Sequence, residues 1–345
     1  MFLKGRSKRW ILGVLLAWGG WAFALDPIPP QAEHFIHSMG KDYHYNEQEL
    51  KTIFSQVEYK ASIIDIIQRP YEKQPWYLYQ QHFLTPSRIQ KGVDYWDQHT
   101  KELDYAEKHF GVDPSIIVAI LGVETHYGEH TGGFRIIDAL STLAFYYPPR
   151  EKFFLNELKE YLLLTREQHL SPFALQGSYA GAIGIPQFMP SSYRQFATAR
   201  EQTGAINLNE NHEAAILSVA NYFKQHHWEL HAPVAVPALA RELPTESLVS
   251  DKKADKEFTL AQFKKAGILP ETNNTLPNKA ALITLEGQNS PEYWLTFHNF
   301  SVIMRYNPSI DYAMAVFQLS QAIKAERNSE QHVPSVGIKP SRPAI

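Results

Sequence analysis

The chain has 345 residues, with 33 Lys and Arg against 36 Asp and Glu, a formal charge of −3. That balance leaves no basic stripe, so nucleic-acid partners are excluded. Cysteine is absent, which removes disulfides, thiolate nucleophiles, thiolate metal sites and a lipid-modified N-terminal cysteine together.

In chain order, Lys4, Arg6, Lys8 and Arg9 precede an apolar run over 10–24 that ends in Ala22-Phe23-Ala24. This is the layout of a secretory signal peptide over residues 1–24. The run falls short of the ~20 apolar residues of a membrane span; an uncleaved anchor is the alternative. Residues 25–110 form an N-terminal helical region. Leu50, Ile53, Phe54, Val57 and Ala61 recur at helical spacing and predict one helix over 47–67, ended by Pro70 and Pro75. Pro86 opens another through Ile89, Val93 and Trp96 towards Leu103 and Ala106.

Residues 111–230 form the next region. Asp113-Pro114 is a helix start, with Asp as cap and Pro in the first turn. Residues 116–123 are almost wholly apolar, as in a helix buried on all sides. It ends at Glu124-Thr125-His126-Tyr127-Gly128. Residues 140–164 read as helices interrupted by Pro148-Pro149. The segment 177–190 holds Gly177, Gly181, Gly184, Pro186 and Pro190, is apolar, and reads as an interior loop. Helices follow over 191–199 and 213–226.

Residues 231–325 carry a β-containing insertion and a return helix. Pro233, Pro237, Pro244 and the charged run 251–256 read as a surface excursion, 280–286 and 293–297 as strands, and 312–325 as the helix. Residues 326–345 read as a disordered tail. The fold class is mainly α (α+β).

Glu124 is the sharpest chemical candidate. Burial raises a carboxyl pKa, and the negative end of a helix raises it further. A carboxylic acid still protonated near neutral pH can protonate the leaving oxygen of a glycosidic bond. A salt-bridged glutamate at a helix end is the plainer alternative. Ser178, Gln187 and backbone N–H groups of the 177–190 loop could hold sugar hydroxyls and an acetamido group; a packing turn is the rival. Aromatic residues make 13% of the chain, and most serve a core. His126 and His130 have a zinc-ligand spacing only on a continuous helix, and Gly128 and Gly132-Gly133 argue that the helix has ended. No metal and no cofactor are expected. His226, His227 and His231 read as surface residues. No nucleophile elbow or phosphate loop occurs.

Five strings add a resemblance: Ile120-Leu121-Gly122-Val123-Glu124-Thr125, Gly177-Ser178-Tyr179-Ala180-Gly181-Ala182, Gln187-Phe188-Met189-Pro190-Ser191-Ser192-Tyr193, Ser218-Val219-Ala220-Asn221-Tyr222-Phe223 and Arg305-Tyr306-Asn307. In this order they resemble the membrane-bound lytic murein transglycosylase B family, over roughly residues 35–325. The resemblance implies a lysozyme-like helical core over 111–230, with Glu124 as the catalytic acid/base in a deep groove. It implies Ser178 as a substrate-orienting hydroxyl, and Gln187 and Phe188 as groove lining. Tyr222, Tyr306 and Asn307 match a sugar-contacting wall, Tyr79 an aromatic on the opposite wall, and Arg150 an arginine meeting the peptide or acetamido side.

Peptidoglycan glycan strands are the implied partner of a periplasmic monomer, with cell-wall synthesis or remodelling proteins as further partners. The implied reaction cleaves the β-1,4 bond between N-acetylmuramic acid and N-acetylglucosamine and leaves 1,6-anhydromuramyl ends. The chain departs from the family at 198–210, where the alternating acidic oxygens of a calcium loop are missing. A muramidase with a second carboxylate, a non-catalytic peptidoglycan-binding protein and a zinc amidase are the alternatives.

Overall fold

The computed structural model describes residues 30–69, 74–201, 204–250 and 253–331. The expected signal peptide lies outside them, as does the tail beyond 331. Two compact units divide the chain, one ending at Gln56 and one starting at Val57.

In the first unit, α1 spans Pro30–Tyr43 and α2 spans Glu47–Phe54. Asn46 caps α2, its side chain accepting the N–H groups of Gln48 and Glu49 at 2.9 and 3.2 Å. The Phe35 and Phe54 rings meet edge to face at 5.9 Å.

The second unit opens with a departure from the expected 47–67 helix. The chain leaves helical geometry at Ser55 and resumes it only in α3, Ala61–Ile67. Glu58 N–H donates to Asp138 Oδ1 at 2.9 Å and Lys60 N–H to Thr142 Oγ1 at 3.1 Å. Those tertiary partners replace the helical ones, so local spacing is overridden. The short α4 (Trp76–Tyr79) leads to α5 (Pro86–Gln98) and α6 (Thr100–Phe110), which part at His99. Thr85 caps α5, and Gly111 closes α6 in the left-handed region.

Helix α7, Pro114–Thr125, is the centre of the molecule's second unit. Its residues from Pro114 to Gly122 are buried, as the apolar run predicts. Helices α5, α6 and α7 pack on one another. Asp113 stands before α7 but its side chain caps nothing. Its Oδ2 accepts the Trp228 indole N–H at 3.0 Å, and its Oδ1 lies 3.0 Å from His231 Nδ1. His231 is therefore paired, and His226 stacks on Tyr222 at 4.1 Å.

A two-stranded ribbon, β1 (Phe134–Arg135) with β2 (Gln176–Gly177), encloses α8 (Ile136–Tyr146) and α9 (Glu151–Glu167). After the glycine-rich loop come α10 (Pro190–Phe196) and α11 (His212–Gln225).

The 231–325 region is more ordered than its prolines suggest. Strands β3 (Ala235–Ala240), β4 (Glu257–Thr259), β5 (Ile268–Pro270), β6 (Lys279–Leu285) and β7 (Glu292–Thr296) make an antiparallel sheet in the order β4-β6-β7-β3-β5, with α12 (Leu260–Lys265) between β4 and β5. Proline is rare inside a sheet because it cannot donate. Pro237 is tolerated because β3 changes partner there: residues 235–237 pair with β7 and 238–240 with β5. Phe263, Ile268, Leu282, Leu295 and Phe297 form the sheet's own core.

Helices α13 (His298–Tyr306) and α14 (Ile310–Gln331) return to the helical body, where α14 packs on α5 and α7. Residues 326–331, expected in the tail, continue α14. Buried Asn299 ties the start of the insertion to α13: its Oδ1 accepts Glu229 N–H at 3.0 Å and its Nδ2 donates to Glu229 O at 2.8 Å. Among the described residues no helix is long and apolar enough to cross a membrane. The architecture is the expected α+β class, mainly helical with a small sheet.

Candidate active site

Glu124 stands in the last turn of α7, and the turn of chain after Thr125 stops the helix. His126 and Tyr127 have φ of 54° and 64°, two successive left-handed residues that are not glycine. Such backbone persists only where surroundings hold it. Here Tyr127 donates its hydroxyl to Arg88 O at 2.7 Å, and the Arg88 guanidinium donates to Gly122 O at 2.5 Å. Buried Thr125 donates to Ile185 O at 2.8 Å and accepts Gly128 N–H at 2.9 Å. The end of α7 is thus tied to the glycine-rich loop.

Tyr312, in the first turn of α14, donates its hydroxyl to Glu124 Oε1 at 2.5 Å. Burial raises the Glu124 pKa from the ordinary 4.5 to about 7, against the smaller opposing pull of that hydrogen bond. No second carboxylate is among the groups that act on it among the described residues. The Tyr306 and Tyr312 hydroxyls are held well above the ordinary range, first by burial and then by the Glu124 charge. Tyr79 also acts on Tyr312 electrostatically. Tyr306 and Tyr312 therefore stand close to the carboxyl, with Tyr79 on the far side of Tyr312 in the chain of influence. Sequence reasoning missed Tyr312. Its only local signal is a polar-tipped ring at the start of an apolar helical stretch, and a buried tyrosine needs a partner.

The loop between β2 and α10 is a set of tight backbone pairings, with Gly177 bridged to Ile183 and Ile183 to Phe188. A Cβ on Gly184, whose φ is +73°, would stand 2.4 Å from Leu208 O; only glycine fits there. Ser178 Oγ accepts Ala182 N–H at 3.0 Å, which leaves its own proton free to donate. Gln187 has a φ of 52°. Its Nε2 donates to Thr131 O at 3.1 Å and Gly184 O at 2.8 Å, so its carbonyl oxygen is the end left for a ligand.

Several of the expected residues are enclosed by their neighbours. Phe188 is 2% exposed, and its ring packs 5.9 Å from both Tyr222 and Tyr306. Tyr222 is 7% exposed and donates its hydroxyl to Arg305 O at 2.6 Å. Tyr306 donates to Pro186 O at 2.5 Å. The three rings pack together, and the hydroxyls of Tyr222 and Tyr306 are already committed. Asn307 caps α13 at the foot of that wall. Arg150 is exposed on the turn before α9, its guanidinium 4.2 Å from the Phe153 ring centre, and it is not among the groups that touch Glu124.

The family model described as the transglycosylase SLT domain matches residues 29–321. The chain belongs to the SLT-domain transglycosylases. This transglycosylase is 39% identical over 308 residues to membrane-bound lytic murein transglycosylase B of Escherichia coli, covering 86% of its own length and 84% of that protein. Its structure is similar to soluble lytic transglycosylase SltB1 of Pseudomonas aeruginosa, with a TM-score of 0.80 at 43% identity, covering 87% of this chain and all 100% of that one. SltB3 of the same organism, solved with NAG-anhNAM-pentapeptide, aligns at a TM-score of 0.74 and 26% identity over 85% of this chain and 79% of its own. The chain is thus an enzyme of the lytic transglycosylase class, a lyase acting on peptidoglycan. Its helical body is lysozyme-like in fold, with the small sheet set into it.

Proposed function

We propose that Glu124 is the single acid/base of this transglycosylase, cutting the β-1,4 bond between N-acetylmuramic acid and N-acetylglucosamine. The observation that carries this reading is a half-buried carboxyl, desolvated and hydrogen-bonded by Tyr312, with its pKa raised to about 7. Such a group is part protonated and part ionised near neutral pH, and so suits both proton transfers.

Protonated Glu124 donates to the glycosidic oxygen as the bond breaks. The substrate's own acetamido oxygen stabilises the developing oxocarbenium centre, as in substrate-assisted glycosidases. Ionised Glu124 then takes the proton of the muramyl 6-hydroxyl, whose oxygen closes on the anomeric carbon. The product ends in a 1,6-anhydro ring and no water is consumed. Tyr312 holds the carboxylate between the two transfers. Ser178 donates to the sugar and the Gln187 carbonyl accepts from it, while Phe188, Tyr222 and Tyr306 back one wall of the groove and Tyr79 the other. Asn307 contributes at the wall, and Arg150 serves the outlying peptide. Residues 1–24 direct export to the periplasm, in keeping with their basic start and apolar run. Peptidoglycan digested by the protein should give fragments one water lighter than muramidase products in a mass spectrum. Ordinary reducing ends would instead mean a hydrolase.

A further inference from the structure

Helix α7 ends at Thr125, and ending it does not separate the histidines beyond it. The left-handed turn over His126 and Tyr127 folds the chain back. His126 and His130 rings stack 5.9 Å apart at 12°. Glu129 Oε2 lies 2.8 Å from His126 Nδ1. One donor atom each from His126, Glu129 and His130 falls within 4.8 Å of the others.

We infer that His126, Glu129 and His130 form a binding site for a divalent transition-metal ion, distinct from the Glu124 acid/base. Two imidazoles and one carboxylate suit zinc and its neighbours rather than calcium or magnesium, which prefer oxygen alone. Donors on a tetrahedral zinc ion lie about 3.4 Å apart, given bonds of about 2.0–2.1 Å. Rotation of half-exposed and exposed side chains brings the three to that spacing. The remaining coordination position has an open route to water: His126 and Glu129 line a polar cleft of about 350 Å³ together with Lys91, Asp94, His99 and His212.

The carboxylate already attracts a cation here. Lys91 Nζ donates to both Glu129 oxygens at 2.6 Å. That pair is solvent exposed and weakly held, so an ion held by two further ligands displaces the ammonium. Bound metal would clip the turn that ends the catalytic helix. The sequence argues against a metal because the helix ends here; the turn nevertheless brings the three side chains together as a helix would have done.

The test is calorimetric titration of zinc chloride into the tag-free protein. One equivalent should bind, with affinity weakened about tenfold or more by Glu129→Gln and by His130→Ala. Lys91→Met should tighten binding, because it removes the competing cation. Both ligand changes lie on the surface, and the folded state of each variant is checked by its melting temperature. Absence of saturable binding, or unchanged affinity in both ligand variants, would overturn the site; the latter would put the ion at His226, His227 or another histidine.

Discussion

Burial of Glu124 lifts its pKa from 4.5 to about 7, with opposite consequences for catalysis and for stability. For catalysis, the acid form persists up to neutral pH. Glu124→Gln, which cannot exchange a proton, should lose about 100- to 10,000-fold in kcat. For stability, the folded state binds the proton more tightly than the unfolded state does. Stability therefore falls as pH rises from about 4.5 through about 7, by at most about 3 kcal/mol. Glu124→Gln should then melt higher than the unaltered protein at about pH 8 and close to it at about pH 4.5. Tyr312 acts the other way, since its hydrogen bond favours the carboxylate. Tyr312→Phe should push the Glu124 pKa further up, move the alkaline limb of the rate profile upward, and lower kcat about tenfold. The desolvated setting of Glu124 was legible in the sequence, because an unbroken apolar run leads into it. Tyr312 was not: 188 positions separate it from Glu124, and no local pattern links them.

Among the elements, what the sequence shows and what it hides divide by the range of the forces. The apolar run of α7, the strands β6 and β7 and the proline-broken pair α8 and α9 follow local periodicity, and all were legible. The break over 55–60 was not, because its hydrogen bonds go to Asp138 and Thr142 on α8. Strand β3 was hidden by Pro237, which is tolerated only through a change of pairing partner. Phe188, expected as groove lining, and Tyr222, expected in a sugar-contacting wall, are both buried, a degree of enclosure that local spacing does not reveal. At this scale Thr125 is the joint between α7 and the glycine-rich loop. Thr125→Val keeps its shape but leaves Ile185 O and Gly128 N–H without a partner. It should cost about 1–3 kcal/mol in urea unfolding; a loss within experimental error would show that the joint carries nothing.

Across the molecule's second unit, the constellation proposed for catalysis is drawn from distant segments. Glu124 comes from α7, Tyr79 from α4, Tyr306 from α13 and Tyr312 from α14. The sheet lies in sequence between α11 and α13, so its return connection places the tyrosines. Asn299 bolts that connection, through buried bonds to Glu229 and Ala232. Asn299→Ala should destabilise the protein by about 2 kcal/mol or more, read as a lower midpoint in urea. No loss would mean that the insertion is anchored by its apolar core alone.

The most direct test of the single buried acid is kcat/KM on purified glycan strands from about pH 5 to about pH 9, for the unaltered protein and for Glu124→Gln. The expected profile falls with an apparent pKa of about 7, and the variant stays at least about 100-fold slower throughout. A rate that stays level to about pH 9, or a variant that keeps the activity, would contradict Glu124 as the acid that breaks the bond.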